Sequence, residues 1–213
     1  MISKTVPYVA RIAAVSVFAL GLSGCIEASD LTPVSASKAD VIADTKIVNV
    51  NGTAVTLGRT DGYCFNDQQS KITTTGAFVV LAPCDPLDEG STAKGLILIN
   101  VLDKDGIMAA IKSRDLEGYF QSDKGRAALS RRGNADKVTV LGTMEDDGIY
   151  YVHTRDADGP VIPDTTDDQW RVFFVVADRL VSVSVVNFID DQMTDGLVFG
   201  YAEAVAKRIR SLN

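Results

Sequence analysis

The segment DQWRVFFVVADRLVSVSVVNF, residues 168–188, constrains the fold of this chain more than any other. Two long runs rich in β-branched and aromatic residues are broken only at Ala177-Asp178, which reads as a β-hairpin. Beyond Thr194-Asp195-Gly196, Leu197, Tyr201, Val205, Ile209 and Leu212 recur every three or four residues. That spacing predicts an amphipathic helix, with Lys207, Arg208 and Arg210 complementing the negative end of its dipole. An apolar stripe must be buried, and the preceding sheet is its natural partner. The expected fold class is α+β: an antiparallel sheet with a C-terminal amphipathic helix packed across one face.

The upstream chain extends this pattern. KIVNVNGTAVTLG places Asn51-Gly52 between two β-type runs, a strong hairpin signal. DGYCFN, GAFVVLAPC (76–84) and GLILINVL (95–102) read as further strands, and KVTVLGTMEDDGIYYVHTRD reads as a hairpin turning at Asp147-Gly148. Between them, residues 113–132, SRDLEGYFQSDKGRAALSRR, change to helical spacing at Leu116, Tyr119 and Phe120. Ser113 and Ser122 are expected N-caps of two short consecutive helices, and Gly118 and Gly125 argue against one continuous rod. A short helical segment is thus inserted mid-chain.

Two long strands followed by a terminal helix resemble the ending of the PsbP/Mog1-like fold, in element order over about the last 75 residues. DGYC…GAFVVLAPC, YFQSDKGRAALSRRG and the Trp-bearing hairpin resemble small bacterial lipoproteins. That likeness brings no active-site residues with it.

The N-terminal region points to export. Lys4 and Arg11 precede an apolar run from Ile12 to Leu22, the length of a signal-peptide core and short for a membrane span. Leu22-Ser23-Gly24-Cys25 resembles the bacterial lipobox. The resemblance implies that Cys25 takes a diacylglyceryl group, that the chain is cut before it, and that the new amine is acylated. Several acyl chains on one residue give stable anchoring. Ile26 stands where Asp would favour inner-membrane retention, so the expectation is the periplasmic face of an outer membrane. The expected organisation is a signal peptide (1–24), a lipidated cysteine with a Ser-, Ala- and Asp-rich tether (25–45), and one domain (46–213). Val41 and Ile42 carry a second reading, as the start of an element docked on that domain.

Cleavage would remove Lys4 and Arg11, leaving 19 basic against 28 acidic side chains, a net charge of about −9. Such a balance argues against nucleic acid as partner and against electrostatic adhesion to anionic lipid. Cys64 and Cys84 remain. In an oxidising compartment they read as a disulfide, closing about 20 residues and contributing roughly 3 kcal/mol by chain entropy. A metal site would need further ligands, and a redox pair would usually read Cys-x-x-Cys.

Chemical motifs are sparse. His153 is the single histidine; on a strand it should share a face with Tyr151 and read as a half-exposed side chain rather than a base. No nucleophile elbow, phosphate-binding loop or His-Glu-x-x-His helix occurs. The carboxylates of RDADGPVIPDTTDD form a candidate binding loop: Asp156, Asp158, Asp164, Asp167 and Asp168. Their EF-hand register fails, because it makes Thr154 the first ligand and Thr165 the twelfth; Asp103 and Asp105 fail similarly. A solvated turn-rich loop is the favoured reading. Lys124, Arg126, Arg131 and Arg132 form the one basic island, read either as a solvated helix face or as a receptor for an acidic partner or lipid phosphate. Trp170, Phe173 and Phe174 should contribute to both sheet faces.

The expectation is a lipid-anchored periplasmic accessory module without catalytic activity or cofactor, bound to the membrane through Cys25 and to an envelope protein partner. The alternative is a lipoprotein that binds a small molecule or metal ion. An unrecognised hydrolase stands third.

Overall fold

Two stretches of the chain have burial patterns from which their sheet positions follow. Leu96–Leu102 is buried at Ile97, Ile99 and Val101 and half-exposed at the residues between, while Arg179–Val186 is buried throughout. The first must lie in a sheet with one open face, and the second in the middle of one with both faces covered.

A computed structural model describes residues 43–87, 90–103, 116–160 and 162–213. The segments expected as signal peptide, Cys25 anchor and most of the tether lie outside these residues, as do Val41, Ile42, Asp105 and Ser113. Nine strands are present among the described residues: β1 (Thr45–Val50), β2 (Thr53–Gly58), β3 (Tyr63–Ile72), β4 (Gly76–Pro83), β5 (Leu96–Leu102), β6 (Val138–Asp146), β7 (Ile149–Asp156), β8 (Asp168–Val176) and β9 (Arg179–Val186). Three α-helices accompany them: α1 (Leu116–Gln121), α2 (Asp123–Leu129) and α3 (Asp195–Ser211). β1 and β2 pair with each other, and the other seven form one antiparallel sheet in the order β3-β4-β5-β9-β8-β7-β6. The protein is mixed α+β and mostly β, and the all-buried β9 is the central strand.

The turns form where the local chemistry directs them. Asn51-Gly52 and Asp147-Gly148 take positive φ at both central positions, as two-residue hairpins require. Ala177 (φ 47°) and Asp178 (φ 60°) do the same without a glycine. Cys64 and Cys84 are disulfide-bonded with Cα atoms 4.9 Å apart, tying β3 to the end of β4. β3 also bulges between Asn66 and Lys71, where the Ser70 hydroxyl accepts from Val80 N and so stands in for a ladder group.

Two apolar cores result. The larger unites β1–β2 (Val48, Leu57), the inward residues of the sheet (Val79, Ile99, Val183, Phe174) and the α3 residues Val198, Ala202, Val205, Ala206 and Ile209. Phe199 of α3 contacts the rings of Tyr151 and Trp170, both at 5.1 Å, and Tyr201 meets Tyr63 edge-on at 5.1 Å. The buried side of α3 is rotated from the expected stripe. Val205 and Ile209 are inside, but Leu197 is 39% exposed, and Ala202 and Ala206 are fully buried. The smaller core gathers Leu116, Phe120 and Leu129 of α1–α2 with Val138, Val152, Phe173 and Leu180. Phe173 and Phe174 therefore serve opposite faces, as expected from strand alternation.

The expected cap at Ser122 is present: its hydroxyl accepts from Gly125 N at 3.2 Å. Gly125 has a further reason to be glycine, since a Cβ there would stand 1.9 Å from the Tyr119 carbonyl oxygen. The two short helices can fold back on each other only without that atom.

Candidate functional site

Where the α1–α2 layer ends, the sheet surface steps down to the half-exposed residues of β4 and β5. A cleft of about 270 Å³ occupies this step, lined by Phe78, Leu98, Ile162 and Val186 as apolar walls and by polar side chains including Arg131, Gln169 and Arg171. The strand register assembles it: Leu98 pairs with Ser184 across β5–β9, and Ser184 pairs with Arg171 across β9–β8. Three neighbouring strands thus present one row to the same face.

The central strand carries the key local signal. β9 alternates Val181, Val183 and Val185 toward the large core with Ser182 and Ser184 toward the cleft face, and all five are buried. Buried hydroxyls need partners. Ser184 Oγ accepts from Arg171 Nε at 3.1 Å, and Ser182 Oγ accepts from Asn100 Nδ2 at 3.4 Å. Arg171 also donates from Nη1 to the Ala128 carbonyl at the end of α2 (3.3 Å), while its Nη2 makes no hydrogen bond among the described residues.

Arg131 arrives from the other side. The chain leaves α2 at Ser130, and the Arg131 backbone N–H donates to Asp156 Oδ2 at 2.8 Å. Its Nη2 donates to Thr166 O (3.1 Å) and Gln169 Oε1 (3.3 Å), but its Nη1 is buried without a partner among the described residues. Gln169, 96% buried, has an equally unpartnered Nε2, and Thr154, opposite Gln169 in register, has an unpartnered Oγ1. No ion pair is made by Arg131 or Arg171 among the described residues. Burial, then the nearby charge of Arg131, pulls the Arg171 guanidinium down to about 10, with Asp156 opposing. Burial also lowers Arg131, against the attraction of Asp156 and Asp167. Both groups remain cationic at neutral pH. Two close, partly desolvated cations with unfilled donors can receive an anion.

The expected carboxylate loop is built differently. Asp156 is buried and accepts from Ser130 Oγ (3.3 Å), Arg131 N and Asp158 N (3.1 Å), so it organises the backbone behind the cleft. Asp168 forms a two-pronged pair with Arg155 (3.0 and 2.9 Å), and Asp167 stands 4.0 Å from the same guanidinium. Asp164 lies in a turn with φ 59°, its carbonyl accepting from Ile189 N at 2.8 Å. Among the described residues, no three His, Cys, Asp or Glu side chains stand close enough to share a metal ion.

The basic island divides. Arg126 turns back onto Gln121 O, Ala135 O and the Asp123 carboxylate, and only Arg131 lines the cleft. His153 shares the large-core face with Tyr151, where it stacks on Trp170 with ring centroids 4.6 Å apart and planes 12° apart. It lines a separate polar cleft of about 260 Å³ with Asp167, Trp170 and Asp195, and makes no hydrogen bond among the described residues. Arg171, Gln169 and the two serines of β9 were missed by sequence reasoning. The available signal was the Val-Ser-Val-Ser-Val alternation in a strand otherwise destined for the core.

No helix among the described residues is long and apolar enough to cross a membrane. Compared with models of known protein families and with curated proteins, the chain matches none.

Proposed function

We propose that this chain is a lipid-anchored envelope protein whose domain binds an anionic ligand in the Arg131–Arg171 cleft. One observation carries the binding half: two partly desolvated guanidinium groups share a cleft with a buried glutamine, and Arg131 Nη1 and Gln169 Nε2 are left without acceptors. Unfilled buried donors cost free energy that an acceptor from a ligand would recover. The cleft favours the ligand-binding alternative over a flat contact surface for an envelope partner. The anchoring half rests on Leu22-Ser23-Gly24-Cys25 alone.

In this reading α3 packs across one face of the seven-stranded sheet, leaving the arginine face to the ligand. Support comes from the core that its buried residues share with Val79, Ile99 and Val183.

Thermal unfolding in a series of small anions at constant ionic strength tests the binding half. A melting temperature that climbs with the concentration of one anion, and no longer does so in Arg131→Gln, is the expected result. A panel of carboxylates, phosphates and sulfate that leaves the transition unmoved would refute it. For the anchor, Cys25→Ser should abolish processing and acyl mass; a variant still cut before residue 25 and fully membrane-bound would rule it out.

A further inference from the structure

The walls and charges of the cleft restrict which anion fits. Its polar end is small: among the described residues, Arg131 Nη1 and Gln169 Nε2 are buried donors without partners, and Arg171 Nη2 makes no hydrogen bond. The opposite side is apolar, formed by Phe78 and Leu98 of the sheet and Ile162 of the β7–β8 loop. The desolvated charges behind it are two guanidinium groups and the buried Asp156, a local excess of one positive charge. Of the remaining acids of the loop, Asp158 and Asp164 are not buried, Asp168 pairs with the half-exposed Arg155, and the half-exposed Asp167 adds its attraction for Arg131, so no further positive charge awaits a second negative charge on the ligand. A singly charged head neutralises this site, whereas a dianion would leave a negative charge beside Asp156. Guanidinium and primary-amide donors match the two in-plane oxygens of a carboxylate.

We propose that the ligand is a monocarboxylate carried on a short apolar body, its head held by Arg131, Gln169 and Arg171 and its body against Phe78, Leu98 and Ile162. This rests on the anion-binding reading above and narrows it to a chemical class. The cleft, at about 270 Å³, lies at the small end of ligand pockets, so a body of a few carbons fills it. Asn100 also lines the cleft, and its amide already donates to the Ser182 hydroxyl.

The test is titration calorimetry on the full chain purified in detergent, with hexanoate, hexanol, hexyl phosphate and inorganic phosphate as probes. Saturable binding of hexanoate is expected, with hexanol at least tenfold weaker and hexyl phosphate no tighter. Arg131→Gln should weaken hexanoate at least tenfold. Because loss of that arginine can disturb folding, Leu98→Glu is the second variant: it sets a carboxylate on the cleft wall and should abolish hexanoate binding while the chain still melts cooperatively. Undiminished binding by a folded Leu98→Glu protein would overturn the assignment to this cleft. If hexyl phosphate or phosphate binds tenfold tighter than hexanoate, the carboxylate class is overturned while anion binding stands. If hexanol binds as well as hexanoate, or no probe binds, both readings fall.

Discussion

Single side chains fix this molecule where the backbone leaves no latitude. Gly125 is one: the Tyr119 carbonyl lies 1.9 Å from where its Cβ would be, so Gly125→Ala must push α1 and α2 apart. Chemical denaturation should show a loss of about 1–3 kcal/mol, the usual cost of an overpacked contact. The Cys64–Cys84 bond acts on the unfolded chain instead. Replacing both cysteines by serine should lower stability by about 3 kcal/mol, seen as a shifted denaturation midpoint with β3 still paired to β4. Tyr63 illustrates a third kind of constraint. Its phenol is buried and donates to the Lys94 carbonyl, and burial, together with Tyr201, raises its pKa. The cleft residues are of the same kind, except that part of their hydrogen-bonding capacity is unused.

Among the elements, the hairpins and both kinds of helix were legible in the sequence because their signals are local. Asn-Gly and Asp-Gly demand a tight turn, Ser122 caps α2 through its own hydroxyl, and a period of three to four residues marks α3. What the sequence hid was relative placement. Leu197 belongs to the helical stripe by spacing, yet it is exposed while Ala202 and Ala206 are fully buried in the large core. Ala202→Leu should therefore cost about 1–3 kcal/mol through overpacking, while Leu197→Ala should stay within about 0.5 kcal/mol; thermal melts of the two variants separate them. The β8–β9 turn offers the opposite experiment. Ala177 holds φ 47°, which costs a residue with a Cβ about 1–2 kcal/mol, so Ala177→Asn, whose side chain tolerates that region, should raise stability. A lower melting temperature would contradict that description of the turn.

At the scale of the whole molecule, the cleft arises from topology that no single segment announces. Arg131 looked like one member of a solvated basic run, but the chain reverses after α2 and carries it inward. Arg171 sits beside Trp170 in a strand that reads as core; its partner Ser184 is on the other arm of the same hairpin, and Leu98, which pairs with Ser184, comes from β5, far along the chain. The acid-rich loop was visible in composition, yet its most buried member, Asp156, is occupied with backbone amides. The electrostatics give this arrangement a pH signature. Arg171 titrates near 10 when folded, so carboxylate affinity should be flat between about pH 6 and 9 and fall as pH passes that value. It should also fall at acid pH as the ligand itself is protonated. The most direct measurement follows the guanidinium and amide ¹H–¹⁵N signals while the protein is titrated with acetate. Arg131, Arg171 and Gln169 should shift together along one saturating curve while Arg126 and Arg155 stay still; movement confined to exposed arginines, or none at all, would contradict an anion site in the cleft.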